Sequence, residues 1–340
     1  MKWSDWVKRG AQILVAVFSV FAAAAAANHY RIARVFQIGG PGAWDYTTVD
    51  PVNHRLYVSH GSAVVAVDLA SGKTVGTISP TLGARGVVVV PELGRGYIAC
   101  AKANLVLVFD LKTLAAIAQV KTDEKPDALT YDPTTQLILA FTHNKSATVF
   151  DARTGSVKGS IGLGGGPEFA VADGQGKVYV SLQDTNEAVQ IDPSQLHLDQ
   201  RWPVASCEAA TSLGIDKASR RLFIGCHNRT VVVMNADNGK VLEKLPIGPG
   251  VDGTVFDPET QLAFVSSGGD GTATVIHEND PNHFSIVDVV KTRHSARTIA
   301  LDSTTHRIYL PFAKAVDAPV RKGEEEQFED GTFAVLELSR

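Results

Sequence analysis

Charged side chains recur at regular intervals along this chain of 340 residues. Seven positions lie 40 to 45 residues apart, and six of them carry a carboxylate or a guanidinium within otherwise apolar segments. Such groups bind charged ligands through ion pairs and charge-assisted hydrogen bonds. The seven positions are Asp45, Arg85, Asp127, Glu168, Thr211, Asp252 and Arg297. A position selected only for packing would not collect charge in this way, so these residues are the first candidates for a binding site.

Two aromatic residues flank the first of these positions. Trp44 and Tyr46 adjoin Asp45, and we expect them to form an aromatic wall for a ligand. The predicted ligand-binding residues are Trp44, Asp45, Arg85, Asp127, Glu168, Asp252 and Arg297. The alternative is that the charges pair with one another across a narrow, hydrated pore, where each accessible ion pair contributes little stability.

Four histidines fall near the same positions in the repeat. Imidazole and carboxylate groups together are ligands that Zn²⁺ accepts. However, no two histidines have the close spacing of an H-x-x-x-H motif, so a metal site would depend wholly on the tertiary arrangement. These weak metal candidates are His60, His143, His227 and His294. The alternative is that they are exposed loop histidines.

The charged positions belong to a repeat that predicts the fold. Five residues after each charged position comes an anchor residue, followed by short apolar strands and turns. The second copy divides into four strands, predicted at 86–90, 96–100, 105–110 and 114–120. Four short strands repeated at this period are typical of a β-propeller blade. The anchors are Asp50, Val90, Asp132, Asp173, Asp216, Asp257 and Asp302.

The two ends of the repeat array are complementary. The seventh repeat supplies three strands, predicted at 297–302, 307–311 and 332–338, and an orphan strand at 31–38 precedes the first repeat. Adding this strand to the last sheet completes the ring and removes an exposed edge. We therefore predict an all-β, seven-bladed β-propeller whose last blade is closed by three C-terminal strands and one N-terminal strand, with residues 28–340 forming a single domain.

The repeat units also resemble a known family. The segments 67–78, with Val67-Asp68-Leu69 and Ser71-Gly72-Lys73, and 55–58, with Leu56-Tyr57-Val58, are similar to the YVTN-type repeat of YncE-like bacterial propellers. The resemblance extends over residues 31–340. It implies an exported or surface propeller, and some members of the family carry a DNA-binding label. The repeat is similar as well to propeller domains of periplasmic redox enzymes and of lactonases.

The N-terminal 27 residues differ from the rest. Lys2, Lys8 and Arg9 precede an apolar run at 11–21, and alanines follow at 22–27. This order predicts a signal peptide, residues 1–27, cleaved near Ala27, with an uncleaved anchor as the alternative. The protein is therefore expected in the periplasm or outside the cell, with no membrane attachment after cleavage.

Charge argues against one class of partner. Without residues 1–27 the chain has 29 basic and 35 acidic residues. An acidic surface gives no general attraction for phosphate backbones, and no basic stripe is present, so nucleic acid is not an expected partner.

The three cysteines are an odd set for an exported protein. Cys207 precedes the first strand of the fifth repeat and Cys226 ends its second strand, so an antiparallel hairpin brings them to one edge. They are either joined in a disulfide or free. Cys100 lies within a strand and is expected to be a small buried hydrophobe. No C-x-x-C-H motif is present, which excludes covalent c-type haem by motif.

Three segments depart from regular strands. The glycine-rich stretches 268–272 and 164–167 are interpreted as tight turns. The seventh blade carries a long polar loop at 313–331, which is either a lid or partner-docking loop or a disordered segment.

No catalytic motif such as G-x-S-x-G or H-E-x-x-H is present. The leading hypothesis is an exported, monomeric, non-enzymatic propeller without a cofactor that binds a small molecule or a protein through its charged face. One alternative is a metal-assisted, lactonase-like hydrolase. The other is a propeller that docks a separate redox partner.

Overall fold

The computed structural model describes residues 29–41, 43–317 and 326–340. These residues form seven antiparallel sheets of four strands each, arranged as a seven-bladed β-propeller. The fold prediction is confirmed. The predicted signal peptide, residues 1–27, lies outside the described residues. Within the described ranges, no helix has the length and apolar character needed to cross a bilayer.

The strands follow one another from the inside of each blade to the outside. Strand β1 (Arg31–Gln37) comes first, and blade 1 contains β2 (Trp44–Asp50), β3 (Arg55–His60), β4 (Ala63–Asp68) and β5 (Thr74–Ile78). Blade 2 contains β6 (Ala84–Val90), β7 (Arg95–Cys100), β8 (Leu105–Asp110) and β9 (Ala116–Lys121). Blade 3 contains β10 (Pro126–Asp132), β11 (Leu137–Thr142), β12 (Ser146–Asp151) and β13 (Val157–Gly162).

The next three blades have the same order. Blade 4 contains β14 (Pro167–Ala172), β15 (Val178–Leu182), β16 (Glu187–Asp192) and β17 (His197–Pro203). Blade 5 contains β18 (Ala210–Asp216), β19 (Arg221–Cys226), β20 (Thr230–Asn235) and β21 (Val241–Pro246). Blade 6 contains β22 (Val251–Asp257), β23 (Leu262–Ser267), β24 (Thr272–Asp280) and β25 (His283–Lys291).

Blade 7 closes the ring with strands from both parts of the chain. It contains β26 (Ala300–Asp302), β27 (Arg307–Phe312) and β28 (Ala334–Ser339), and β1 is its outermost strand. Strand β1 pairs with β28 from Arg31 opposite Ser339 to Gln37 opposite Ala334. The innermost strand is shorter than predicted, because the backbone at 297–299 does not pair with β27.

The core lies between neighbouring blades. Second and third strands are buried on both faces, as in β11, where all six residues are buried. This explains why those strands are almost continuously apolar, since each sheet packs against a sheet on either side. Four tyrosines at equivalent positions of the second strands are at most 1% exposed, namely Tyr57, Tyr97, Tyr179 and Tyr309. Removal of this apolar surface from water is the main stabilising contribution to the blade interfaces.

The anchor aspartates fix one end of each innermost strand. Asp50 Oδ1 accepts the backbone N–H groups of Val52 (3.1 Å) and Asn53 (3.0 Å), which closes the turn to the second strand. Similar turn contacts are made by Asp132, Asp173, Asp216, Asp257 and Asp302. All six of these aspartates are at most 3% exposed. A buried carboxylate is stable here because backbone donors satisfy its oxygens.

Candidate functional site

The opposite ends of the innermost strands surround one mouth of the central channel. We call Asp45, Arg85, Asp127, Glu168, Thr211, Asp252 and Arg297 the mouth ring. In blades 1 to 6 the pairing of the innermost strand with its neighbour is interrupted at the mouth-ring residue, which lies in a β-bulge. A bulge releases a residue from the alternation of the ladder and re-aims its side chain. The six bulges explain how polar side chains sit at the start of otherwise packed strands.

Two ion pairs and one histidine contact connect the mouth ring. Asp45 Oδ2 lies 2.5 Å from Arg85 Nη1, and Asp252 Oδ2 lies 3.0 Å from Arg297 Nε. Asp127 Oδ2 lies 3.3 Å from His143 Nε2, while Asp127 Oδ1 is buried and has no hydrogen-bond partner in the part of the chain that the structure describes. The pairing alternative from the sequence therefore holds for two of the four carboxylates.

Glu168 differs from the other acids of the mouth ring. Its side chain makes no hydrogen bond or ion pair with any part of the chain that the structure describes. Its backbone carbonyl accepts the hydroxyl of Tyr46 at 2.7 Å, so that Tyr46 spans from blade 1 to blade 4 beneath the ring. Thr211, the seventh member, donates from Oγ1 to the carbonyl of Ala209 at 2.9 Å. Glu168 is thus the carboxylate that is most available to a ligand.

Three carboxylates of the mouth ring, those of Glu168, Asp252 and Asp45, have a raised pKa. Desolvation by burial, together with repulsion from Asp127 and the other ring acids, raises the pKa of Glu168 to about 8. Desolvation, opposed by Arg297 and reinforced by Asp45 and Asp127, raises the pKa of Asp252 to about 7.

The same two effects act on Asp45. Desolvation and repulsion from Asp127 raise the pKa of Asp45 to about 6, because the attraction of Arg85 and Arg297 only partly compensates. The hydrogen bond from His143 to Asp127 raises the pKa of that imidazole. These four carboxylates therefore form one electrostatic cluster that contains more acid than the two arginines neutralise.

Trp44 and Tyr46 do not form an open aromatic wall together. Trp44 is 3% exposed, and its ring packs against Phe328 and Phe333, with centroids 4.6 Å and 5.4 Å away. Arg297 Cζ lies 5.7 Å from the centre of the Trp44 ring. Tyr46 instead packs against Phe169 at 5.7 Å and lines the channel, where a cavity of about 460 Å³ begins.

A second cavity adjoins the mouth ring between blades 7, 1 and 2. Its volume is about 510 Å³. We call it the side cleft, and its charged and aromatic lining comprises Trp44, Asp45, Arg85, Lys102, Arg297, Glu326 and Phe328. Lys102, Glu326 and Phe328 were not predicted. Lys102 lies in the turn after the second strand of blade 2, where a single exposed lysine carries no distinct sequence signal.

The long loop of blade 7 forms part of this cleft. Residues 318–325, its central part, lie outside the described residues. Its two flanks pair as a short ribbon, with Val316 N–H donating to the Gln327 carbonyl and Glu329 N–H donating to the Lys314 carbonyl, both at 2.8 Å. Phe328 and Glu326 on this ribbon cover the side cleft. The flanks are therefore ordered, and the lid or docking role stays a prediction.

The four candidate metal histidines are spread over the mouth face. His60 stacks on Phe333 with centroids 4.0 Å apart, and His294 Nε2 lies 2.8 Å from Glu326 Oε1. Burial lowers the pKa of His227. Among the described residues, no group of three or more His, Cys, Asp or Glu side chains is arranged to hold a metal ion.

Cys207 and Cys226 are joined in a disulfide, with Cα atoms 5.4 Å apart. Cys100 is free and 2% exposed, and burial raises the pKa of its thiol to about 11.

The glycine-rich segment at 268–271 is a turn between β23 and β24, and 164–165 is a bend before β14. Both segments therefore serve as chain reversals, as their glycines suggested.

Comparison with known proteins shows the fold and nothing finer. The chain is similar to U3-55K (TM-score 0.74, 9% identity, 89% of this chain and 97% of that chain covered). It is also similar to the WD40 repeats of RRP9 (TM-score 0.75, 9% identity, 92% and 99% covered). Its structural neighbours are WD40-like propellers. Hydrazine synthase of Kuenenia stuttgartiensis is similar as well (TM-score 0.67, 14% identity, 81% and 93% covered). No protein-family model and no curated protein matches the sequence.

Proposed function

We propose that this protein is an exported, non-enzymatic binding propeller that uses its mouth ring to hold a positively charged group of a small molecule or a partner protein. The scaffold is a seven-bladed propeller, an architecture in which rigid strands present loops around a central mouth. The proposal goes beyond the fold and concerns what the mouth recognises.

The observation that carries the proposal is the surplus of crowded carboxylates. Four carboxylates share the mouth with two arginines, and three of the four have a raised pKa. Within the described ranges, the Glu168 side chain makes no ion pair or hydrogen bond, and Asp127 Oδ1 has no hydrogen-bond partner. An ammonium or guanidinium group placed among them would replace repulsion by attraction in a partly desolvated site, where such attraction is strong. A cation is therefore the best-matched occupant.

Several features support export and the family resemblance without deciding either. Residues 1–27 have the order of a signal peptide, and the 207–226 disulfide suits an oxidising compartment. The YVTN-like repeats fit an exported propeller of the YncE-like kind. We propose that the mature protein is a monomer in the periplasm or outside the cell, and that nucleic acid is not its partner.

The direct test is calorimetric titration of the mature protein with hexylamine, a simple cationic probe. We expect binding that strengthens as the pH rises from 6 to 9, because Glu168, with a pKa of about 8, must lose its proton to hold the ammonium group. The Glu168→Gln variant should bind hexylamine at least about tenfold more weakly at pH 8.

The matched control is Glu259→Gln, which removes an exposed carboxylate near the opposite end of a blade. Glu259 has a 75% exposed side chain and lies just after the anchor Asp257. Its replacement should leave hexylamine affinity unchanged. Absence of hexylamine binding, or equal affinity of the Glu168→Gln variant and the wild type, would refute the cation site.

The non-enzymatic part of the proposal has its own test. Elemental analysis of the purified mature protein and a panel of lactones address the hydrolase alternative. We expect no stoichiometric metal and no lactone hydrolysis. Stoichiometric metal together with turnover would overturn the non-enzymatic assignment and leave the fold untouched.

A further inference from the structure

We infer that the ligand is amphoteric: its cationic end lies on the carboxylates of the mouth ring, and a carboxylate at its other end lies in the adjoining side cleft. This inference rests on the proposed function, because it adds an anion-binding half to the cation site. The two halves share the wall formed by Asp45, Arg85 and Arg297.

The charges of the mouth are segregated. Arg297 and Arg85 belong to blades 7 and 2, on either side of Asp45 in blade 1, and both line the side cleft. Asp127 and Glu168 belong to blades 3 and 4, away from it. A molecule that crosses the mouth therefore meets carboxylates at one end and cations at the other. Complementary poles of this kind select orientation as well as charge.

Among the described residues, Lys102 is the cation of the side cleft that makes no ion pair. The residue is exposed. Its position is fixed by the backbone, since Lys102 N–H donates to the Leu82 carbonyl at 3.1 Å. A Cβ on Gly83 would lie 2.8 Å from Lys102 Cγ, which shows how closely the stem of the side chain packs there. The ammonium group thus stands at the cleft, and no acid in the described part of the chain pairs with it.

The carboxylates of the side cleft are already engaged. Asp45 is paired with Arg85 at 2.5 Å, and Glu326 lies 2.8 Å from His294 Nε2. The contact with Glu326 raises the pKa of His294, which favours its charged form. Among the described residues neither acid pairs with Lys102, and each already has a basic partner of its own.

The two arginines retain donors for that anion. Arg85 uses one nitrogen, Nη1, for Asp45. Arg297 uses Nε for Asp252, and its Nη2 lies 3.3 Å from the Trp44 carbonyl. A guanidinium carries five N–H donors, so each group has others that can bind a carboxylate oxygen.

A buried donor in the cleft wall gives independent support. Trp44 is 3% exposed, and no described residue supplies an acceptor for its indole Nε1–H. A buried donor without a partner costs about 1–3 kcal/mol. A carboxylate seated against Trp44 brings negative charge to this N–H, which reduces that cost. The cleft volume of about 510 Å³ is within the range of small-molecule sites.

The test uses three probes of one length, namely 6-aminohexanoate with both charges, hexylamine with the cation only and hexanoate with the anion only. Calorimetric titration of the mature protein at pH 8 should give about tenfold tighter binding of 6-aminohexanoate than of hexylamine. Hexanoate should bind most weakly.

The Lys102→Gln variant identifies the seat of the carboxylate. It should reduce the advantage of 6-aminohexanoate over hexylamine to about threefold or less while leaving hexylamine affinity unchanged. Lys112→Gln, an exposed lysine at the other end of the same blade, is the matched control and should change neither value. Since both lysines are exposed, an unchanged melting temperature will show that the variants fold.

The outcomes separate this inference from the function on which it rests. Equal binding of hexylamine and 6-aminohexanoate overturns the anion half and leaves the cation site standing. An advantage of 6-aminohexanoate that persists in Lys102→Gln also overturns it, since the side cleft is then not the seat. Failure of hexylamine to bind, with hexanoate binding instead, overturns the cation site and the amphoteric ligand together.

Discussion

The innermost strands have two different ends. At the anchor end, six of the seven blades have an aspartate that is at most 3% exposed. Backbone N–H groups of the following turn donate hydrogen bonds to its carboxylate. At the mouth end, five residues earlier, the residue varies from blade to blade, and in blades 1 to 6 it lies in a β-bulge. The anchor end is built to be the same in every blade, and the mouth end is built to differ.

The carboxylates of the two faces also differ in protonation. On the anchor face, hydrogen bonds from Ser71, Thr113 and Thr154 lower the pKa of Asp68, Asp110 and Asp151. On the mouth face, desolvation and repulsion from neighbouring acids raise the pKa of Asp45, Glu168 and Asp252. The turns stabilise Asp68, Asp110 and Asp151 as anions, whereas burial and repulsion destabilise the anions of Asp45, Glu168 and Asp252. The difference separates acids that maintain the fold from acids that the proposed cation would stabilise.

The largest effect on stability should appear when the two ends of β22 are compared by truncating one aspartate at each end. Asp257→Ala removes an anchor that accepts from Glu259 N–H (3.2 Å), Thr260 Oγ1 (2.7 Å) and His306 Nδ1 (2.8 Å). We expect a loss of about 3 kcal/mol in the free energy of unfolding, because buried donors lose their acceptor. Asp252→Ala, at the mouth end, should change it by less than about 1 kcal/mol, since its ion pair with Arg297 is partly exposed. Urea denaturation at pH 7 measures both, and equal losses would end the distinction between the two faces.

A smaller change of opposite sign in the free energy of unfolding is expected when Glu168 is replaced. The folded protein holds this proton up to a pH of about 8, whereas the unfolded chain releases it near 4.5, so stability falls as the pH rises between these values. Glu168→Gln removes this penalty. The variant should nearly match the wild type at pH 5 and be more stable by about 2 kcal/mol at pH 9, a value reduced for partial exposure. Thermal and urea unfolding across this range will show it; a variant less stable than the wild type at pH 9 would contradict a strained anion.

The smallest effect concerns Asp192 on the anchor face. Desolvation opposes its ionisation, but hydrogen bonds from Lys177 and Ser194 outweigh it and lower the pKa of Asp192 to about 2. Its contribution is therefore present above pH 3.8 and is lost as the pH falls through about 2. Asp192→Asn should cost about 1 kcal/mol at pH 7, and the gap should narrow towards pH 2. A gap that does not change with pH would mean that charge is not the cause.

The sequence predicted most of the fold and part of the candidate site. The period, the anchors and the orphan strand 31–38 were enough for seven blades and the closure by β1, because each depends on local turn chemistry and strand pattern. The anchors also predict the mouth-ring positions, because each of these lies five residues before an anchor. This spacing could not predict the bulges, since a bulge depends on how two strands pair and leaves no distinct residue pattern.

The partners within the site were also beyond the sequence. Asp45 pairs with Arg85 forty positions away, and Trp44 is covered by Phe328 from the far end of the chain. The prediction that Trp44 forms part of an open aromatic wall was wrong, because the path of the 313–331 loop cannot be inferred from its length and polarity. Lys102 had no signal of its own, because a single exposed lysine in a turn is common.

By itself, the sequence determined the repeat and hence the seven-bladed ring, because strand, turn and anchor preferences act between residues close in the chain. It also determined that the charges stand at one end of each innermost strand. The tertiary structure alone decided which of them are paired, which share a raised pKa and that Lys102 and Trp44 complete a cleft beside them. Such properties depend on distance and desolvation between residues from different blades, and these arise only when the ring closes.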